Sequence, residues 1–148
     1  MTIRVEIVSQ DRMVYEGEAD IVVVPGAGGE MGILPNHSPL ISTLQYGVLK
    51  VRRGVEEELF TVAGGVVEVQ PDVVTVLADA AENVAEIDVA RAEAARERAE
   101  KLLAEGPPPD TDTYLRIEAA LRRSNLRLEA VRRYGRQRRR QHQQDEEA

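Results

Sequence analysis

The hydrophobic period of this chain changes once, near residue 86, and that change demands two parts built on different local geometry. Upstream, Ile3, Val5 and Ile7 alternate with Arg4 and Glu6, the period of two that marks a half-buried strand. A short stretch from Ala19 to Val24, apolar but for Asp20, stops at Pro25-Gly26. Another strand signal around Val48 and Val51 closes at Arg53-Gly54. Residues 59–63, 66–69 and 73–77 follow, separated by Gly64-Gly65 and by Gln70-Pro71-Asp72. Short strands with turn residues at this spacing predict an antiparallel β-sandwich or flattened barrel over residues 1–85. With one Phe, four Tyr and no Trp, its core must be aliphatic.

Downstream, Asp88 to Glu105 contains no Gly or Pro and is built from Ala, Glu, Arg and Leu, all strong helix formers. Asp88 suits an N-cap, its carboxylate accepting from orphan amides of the first turn. Gly106-Pro107-Pro108-Pro109 ends that helix, and Asp110-Thr111-Asp112 offers caps for a second. There Tyr114, Ile117, Leu121, Ser124, Leu128 and Val131 recur at alternating spacings of 3 and 4, a seam that requires a partner. The first helix offers Ala92, Ala95, Ala99 and Leu102. An antiparallel helical hairpin over residues 86–134 is therefore expected. Alanine buries little apolar area, so the hairpin should be held weakly and be mobile. Residues 135–148 form a basic, then acidic tail, expected to be flexible.

Several chemistries are excluded. Without cysteine there is no disulfide frame, zinc ribbon, iron–sulfur cluster or thiol catalysis. Two histidines, His37 and His142, argue against a metal site. The longest strongly apolar run, Ile21 to Val24, is far below the roughly 20 residues of a membrane span, and Met1–Val5 lacks a signal-peptide pattern. Gly26-Ala27-Gly28-Gly29-Glu30-Met31-Gly32 has Met31 where a dinucleotide fingerprint needs its third glycine, and no Gly-Lys-Ser/Thr occurs. It is expected to be a β-loop whose glycines supply positive φ. His37, between Pro35 and Pro39, has no nucleophile or acid spaced to make it a general base, so it is expected to anchor its loop or to sit at an interface. No catalytic residue and no enzyme activity are expected.

Charge is divided unevenly. Residues 1–85 hold 5 Lys/Arg against 13 Asp/Glu, whereas residues 122–140 hold nine arginines against one acid, Glu129. Such an arginine stretch can meet phosphates of nucleic acid or anionic lipid, or an acidic protein surface, or remain solvated. Only Tyr134 is interleaved as a stacking platform.

Two ordered motifs are more specific. Gly29-Glu30-Met31-Gly32-Ile33-Leu34-Pro35-Asn36-His37-Ser38-Pro39-Leu40 resembles the G-E-x-G-x-x-P-x-H-x-P-L loop of the ε subunits of rotary F-type ATP synthases. Residues 64–79, from Gly64-Gly65 through Glu68-Val69 and Pro71 to Ala78-Asp79, are similar to the family's G-G-x-x-E-V-x-P-x-x-V-T-V-L-A-D segment. The resemblance spans about residues 1–134. It implies a non-catalytic rotor subunit on the cytoplasmic face of the bacterial plasma membrane, whose sandwich binds the γ subunit and the c-ring. Glu30, Met31 and Gly32 would lie in a loop facing the c-ring, with His37 close by. The hairpin would fold down, or extend and inhibit ATP hydrolysis, with Arg122, Arg123 and Arg127 meeting acidic surface of the catalytic subunits. No nucleic acid is expected as a partner.

A finer match is Ile87-Asp88-Val89-Ala90-Arg91-Ala92, similar to the I/L-D-x-x-R-A sequence that marks regulatory ATP binding in some bacterial ε subunits. Carried over, the candidates are Glu82, Ile87, Asp88, Arg91, Ala92 and Arg98, with Arg123 and Arg127 on the second helix. Arg91 and Arg98, seven apart, share one helix face, and arginine forks suit phosphate oxygens. Two roles fit Asp88 and Arg91 equally: part of that nucleotide site, or a helix cap with its i,i+3 ion-pair partner. The chain departs from the family at Pro107-Pro108-Pro109 and in the arginine-rich tail. The rival class is a β-sandwich adaptor whose Arg-rich helix binds nucleic acid or anionic membrane.

Overall fold

The computed structural model describes residues 1–106 and 110–147, with side chains described as far as Gly135. It separates into two compact units, Met1–Asn83 and Val84–Ala148.

The first unit is a sheet of β1 (Ile3–Val8), β2 (Met13–Ala19), β3 (Ile21–Gly26), β4 (Gly29–Ile33), β5 (Leu40–Arg53), β6 (Glu56–Val69), β7 (Val73–Ala78) and β8 (Ala81–Asn83). The order is β2-β1-β7-β6-β5-β3-β4, with β8 beside β6, and the sheet does not close into a barrel. Most neighbours are antiparallel, as expected, but β1 and β7 pair in parallel. They are distant in sequence, so no hairpin forces their directions to oppose. Strands β2, β4 and β8 escape the sequence pattern because Glu16, Gly17 and Glu18, the glycines of 29–33 and the brevity of 81–83 dilute it.

The core is aliphatic: Ile3, Val5 and Ile7 of β1 pack with Val22 and Val24 of β3, Ile33 of β4 and Val74 and Val76 of β7. Phe60, with the Tyr15 ring 5.2 Å away, is its aromatic member.

Residues 59–63 and 66–69 are one strand, not two. Gly64-Gly65 re-aims it rather than breaking it. Before the pair, β6 contributes Phe60 and Val62 to the main core, with Thr61 and Ala63 covered on the other face; after it, Val67 and Val69. The inward phase thus moves from even to odd positions. The facing strand changes phase with it, from Leu44 to Leu49 and Val51, while the β5–β6 register continues from Leu44↔Gly65 to Tyr46↔Ala63. The turn of phase is possible because Gly64 has φ 84° and Gly65 φ 124°, conformations that L side chains resist.

The second unit opens with a 3₁₀ turn (Val84–Glu86), then α1 (Val89–Ala104) and α2 (Thr111–Glu147). Asp88 caps α1, its side chain accepting from the Arg91 amide at 3.1 Å. Asp110 caps α2 through the Thr113 amide at 2.7 Å. The helices pack as the hairpin expected, mostly on small residues: among the described residues, Ala92 and Ala99 of α1 and Ser124 and Ala130 of α2 are buried, with Tyr134 as the one large side chain. The seam differs in detail. Leu102 is 49% and Tyr114 41% exposed, since both flank the loop end of the hairpin. Ser124 satisfies its hydroxyl on the Ala120 carbonyl at 2.9 Å. The backbone of α2 runs beyond Tyr134 to Glu147. The side chains of the expected tail beyond Gly135, and Pro107-Pro108-Pro109, lie outside the described residues.

Candidate functional site

Glu30, Met31 and Gly32 are not in a loop. They lie in β4, at one edge of the sheet, paired with Pro25, Val24 and Val23 of β3. The tight β3–β4 turn explains this: Gly26 pairs with Gly29, and Gly29 takes φ 124°. Only Ala27-Gly28 remains as connection. Alternation along β4 then points Met31 toward the core, which it packs against, and exposes Glu30 and Gly32.

His37 anchors a second turn. Its amide donates to the Leu34 carbonyl at 3.3 Å, and its Nδ1 lies 2.7 Å from the Ser38 carbonyl oxygen. A carbonyl only accepts, so Nδ1 carries a proton in this contact. The preceding residue, Asn36, holds φ 64° and donates its amide to Pro71 at 2.8 Å. Asparagine tolerates this left-handed region better than most residues. Ala27 donates to the Thr43 carbonyl at 3.0 Å. Both turns are therefore tied to the end of the sheet where β5 begins and β6 gives way to β7.

The outer surface of the sheet carries a feature that sequence inspection passed over. Val66 pairs with Leu77, Leu77 with Val8 and Val8 with Met13, so four apolar residues stand in a row across β6, β7, β1 and β2. Leu77 is 51% and Met13 48% exposed. The next row holds Glu68, Thr75, Glu6 and Glu16, with Arg4 bridging Glu6 and Glu16. The signal was legible: Val66 and Leu77 sit at the outward phase of strands whose inward phase is already apolar. A row of this kind, with exposed Ile41 beside Glu68 at the end of the next one, suits a protein contact.

In the helical unit, Ile87 is half-buried, and its amide donates to the Val84 carbonyl at 3.4 Å. Ala92 is 2% exposed, so its methyl serves helix packing. Arg91 and Arg98 are exposed on α1; Arg123 and Arg127 are half-buried on α2, one turn apart, and Arg122 is exposed. The Asp88 carboxylate is engaged by the Arg91 backbone amide. Among the described residues the Arg91 guanidinium forms no ion pair with it, so the cap is present and the side-chain pair is not. Glu82 belongs to the other unit, on β8, its carbonyl accepting from the Thr61 hydroxyl at 3.4 Å. Hydrogen bonds from Arg132 hold the Glu129 carboxyl below its usual range, and the Thr113 amide does the same for Asp110. No group of acids and histidines able to hold a metal occurs among the described residues.

Comparison with known proteins covers both units. Residues 2–84 match the ATP synthase Delta/Epsilon chain β-sandwich domain, and residues 85–132 the long α-helix domain of the same chain type. The ATP synthase epsilon chain of Halalkalibacterium halodurans is 46% identical over 130 residues, 88% of this chain and 97% of the relative. That of Acidithiobacillus ferridurans is 46% identical over 133 residues, 90% of this chain and 93% of the relative. Among solved structures, a chain of the Euglena gracilis mitochondrial ATP synthase OSCP/F1/c-ring assembly superposes with a TM-score of 0.65 at 26% identity, over 82% of this chain and 76% of that one.

Proposed function

This chain belongs to the ATP synthase Delta/Epsilon chain family, and from that membership we propose that its sheet unit couples the γ subunit to the c-ring while its helical unit restrains ATP hydrolysis. It is a non-catalytic subunit of the ATP synthase central stalk. Among the described residues no helix is long and apolar enough to cross a membrane.

The observation that carries the coupling role is the apolar row Val66, Leu77, Val8 and Met13. Covering it with γ removes exposed hydrocarbon from water, at about 25 cal/mol for each Å² buried. The end of the sheet bearing Glu30, Gly32 and the His37 turn faces the c-ring in this arrangement. Backbone pairing and the Asn36–Pro71 bond make that end stiff enough to carry load. The decisive experiment is co-elution of the full chain with γ after Leu77→Asp or Val66→Asp. Both side chains point outward, so the sheet keeps its circular dichroism while γ is lost. Variants that still co-elute with γ would sink the coupling assignment.

The helical unit has two further roles in this proposal. ATP occupies the hairpin, with Arg91 and Arg98 on the phosphates, Arg123 and Arg127 completing the positive field, and Ile87, Asp88 and Ala92 of the motif beside them; Glu82, on the sheet unit, is the remaining candidate by resemblance. A guanidinium that the cap leaves outside any ion pair among the described residues supports Arg91 in that role. Without nucleotide, Arg122, Arg123 and Arg127 dock on acidic surface of the catalytic α and β subunits. That docking depends on charge complementarity and weakens with salt.

A further inference from the structure

The two ends of the strand order are finished differently. At one end β2 is guarded. Its register with β1 slips between Ile7 and Val8, and it carries the charges of Glu16 and Glu18, with Arg4 paired to Glu16. Irregularities and charges of that kind keep foreign strands off an edge. At the other end β4, Gly29-Glu30-Met31-Gly32-Ile33, has no slip against β3, no Pro, no Lys and a single charge, Glu30. Among the described residues only β3 pairs with it.

The direction of its free backbone groups follows from β3. Ala27 donates to the Thr43 carbonyl of β5, and successive residues of a strand turn their amides and carbonyls to opposite sides. Odd positions of β3 therefore face β5. Even positions, Val22, Val24 and Gly26, bond β4 through their partners Ile33, Met31 and Gly29. Proline at position 25, with no amide to give, fits this alternation. Glu30 and Gly32 lie between the bonded pairs, so both aim their amides and carbonyls away from the sheet. These groups repeat at about 6.6 Å along the strand, two residues at ~3.3 Å each. Another extended backbone matches that repeat; a phosphate or a lipid headgroup does not.

Gly32 gives an independent reason. Seven of the nine glycines in the sheet unit are explained within the chain. Gly29, Gly54, Gly64 and Gly65 hold φ between 59° and 124°. A β-carbon on Gly17, Gly26 or Gly47 would come within 2.5, 2.7 and 2.8 Å of the side chains of Tyr15, Met31 and Pro25. Gly28 and Gly32 are the exceptions. Neither has a left-handed φ; a β-carbon on Gly28 would meet nothing within 4 Å, and one on Gly32 only Ile21 Cδ1 at 3.5 Å, an ordinary contact. Glycine weakens a strand, and one that the fold itself does not require marks a place where another backbone comes close.

We propose that β4 grips the c-ring by strand addition: an extended segment of one ring subunit lies along its outer edge and exchanges main-chain hydrogen bonds with Glu30 and Gly32. This rests on the coupling role proposed above, which turns that end of the sheet to the ring. The bonds depend on no side chain of either partner and resist sliding along the strand. They also cover an edge that is otherwise a template for aggregation.

The test uses the full chain bound to γ, and c-rings in detergent. Amides of Glu30 and Gly32 should exchange hydrogen fast before the ring is added and at least about tenfold slower after it. Those of Met31 and Ile33, already bonded to β3, should change little. Gly32→Pro removes one outward amide at a place where an edge strand tolerates proline. Circular dichroism and γ binding should persist while ring affinity falls about tenfold. Gly32→Ala keeps the amide and should lose at most about threefold. Unprotected amides at 30 and 32 overturn the proposal, as do equal ring affinities for the two variants. Protection by γ alone makes γ the occupant and overturns it. So does a dimer of this chain that protects the same amides and dissociates in Gly32→Pro. If the wild-type chain with γ does not bind the ring at all, the coupling reading falls and takes this inference with it; normal ring binding without protection at 30 and 32 sinks strand addition alone.

Discussion

A β-carbon placed on Gly65 would stand 2.2 Å from the carbonyl oxygen of Leu77. The approach is backbone to backbone, so no rotamer change can relieve it, and φ at Gly65 is 124° besides. Gly65→Ala should therefore cost at least about 3 kcal/mol, combining strain at a forbidden φ with overpacking. Urea unfolding of the variant measures this; a loss below 1 kcal/mol would show that β6 and β7 can part without harm.

The α2 cap sets a pH dependence. Asp110 accepts from the Thr113 amide at 2.7 Å and from its hydroxyl at 2.8 Å, which lowers its carboxyl relative to the unfolded chain, and Arg132 lowers Glu129 likewise. A depressed carboxyl contributes stability that is complete above its unfolded value, about 4, and vanishes as pH falls through the folded one. Helical circular dichroism at 222 nm should thus melt at progressively lower temperature from about pH 5 downward, and Asp110→Asn should shrink the shift. A melting temperature that stays flat down to pH 2 contradicts it.

Nucleotide binding is open to direct measurement. ATP titrated calorimetrically into the full chain should give saturable heat, and Arg91→Ala should weaken binding tenfold or more, since one charge-assisted contact is worth about 1.5–3 kcal/mol. Equal heats for both proteins would return Asp88 and Arg91 to a purely structural part.

Hydrogen exchange separates the two units. Among the described residues, three alanines, one serine and one tyrosine are the buried side chains of the two helices, whereas β1, β3, β6 and β7 lie among fully covered Val and Ile. Amides of α1 and of residues 111–134 should exchange well before those of Val62, Val67, Val74 and Val76. Equal protection would mean that the hairpin does not open on its own.

The helical half was legible almost to the residue because its signals are local. Asp88 is an N-cap whatever else it does, no Gly or Pro interrupts 89–104, and a small-residue stripe needs no distant information. The sheet was less so. Alternation located Ile3–Ile7 and 73–77, but Gly64-Gly65 looks like a break unless the positive φ that turns the strand is known. Edge strand β4 is hidden because Gly29, Glu30 and Gly32 carry no apolar pattern; only pairing with β3 makes it a strand. The row from Val66 to Met13 depends on register across four strands, which no single segment encodes.

Strands β5 and β6 each run 14 residues, about 45 Å at ~3.3 Å per residue. Because each changes its inward phase partway along, the same two chains contribute side chains to the core on both sides of the crossover. Tangential force at the Gly29 end would reach the Arg53–Glu56 hairpin through continuous covalent backbone, with the inter-strand hydrogen bonds loaded in shear and broken only together. A sheet patched from short strands would yield one bond at a time. The geometry is that of a torsion bar, stiff along the direction in which a rotating shaft must not slip.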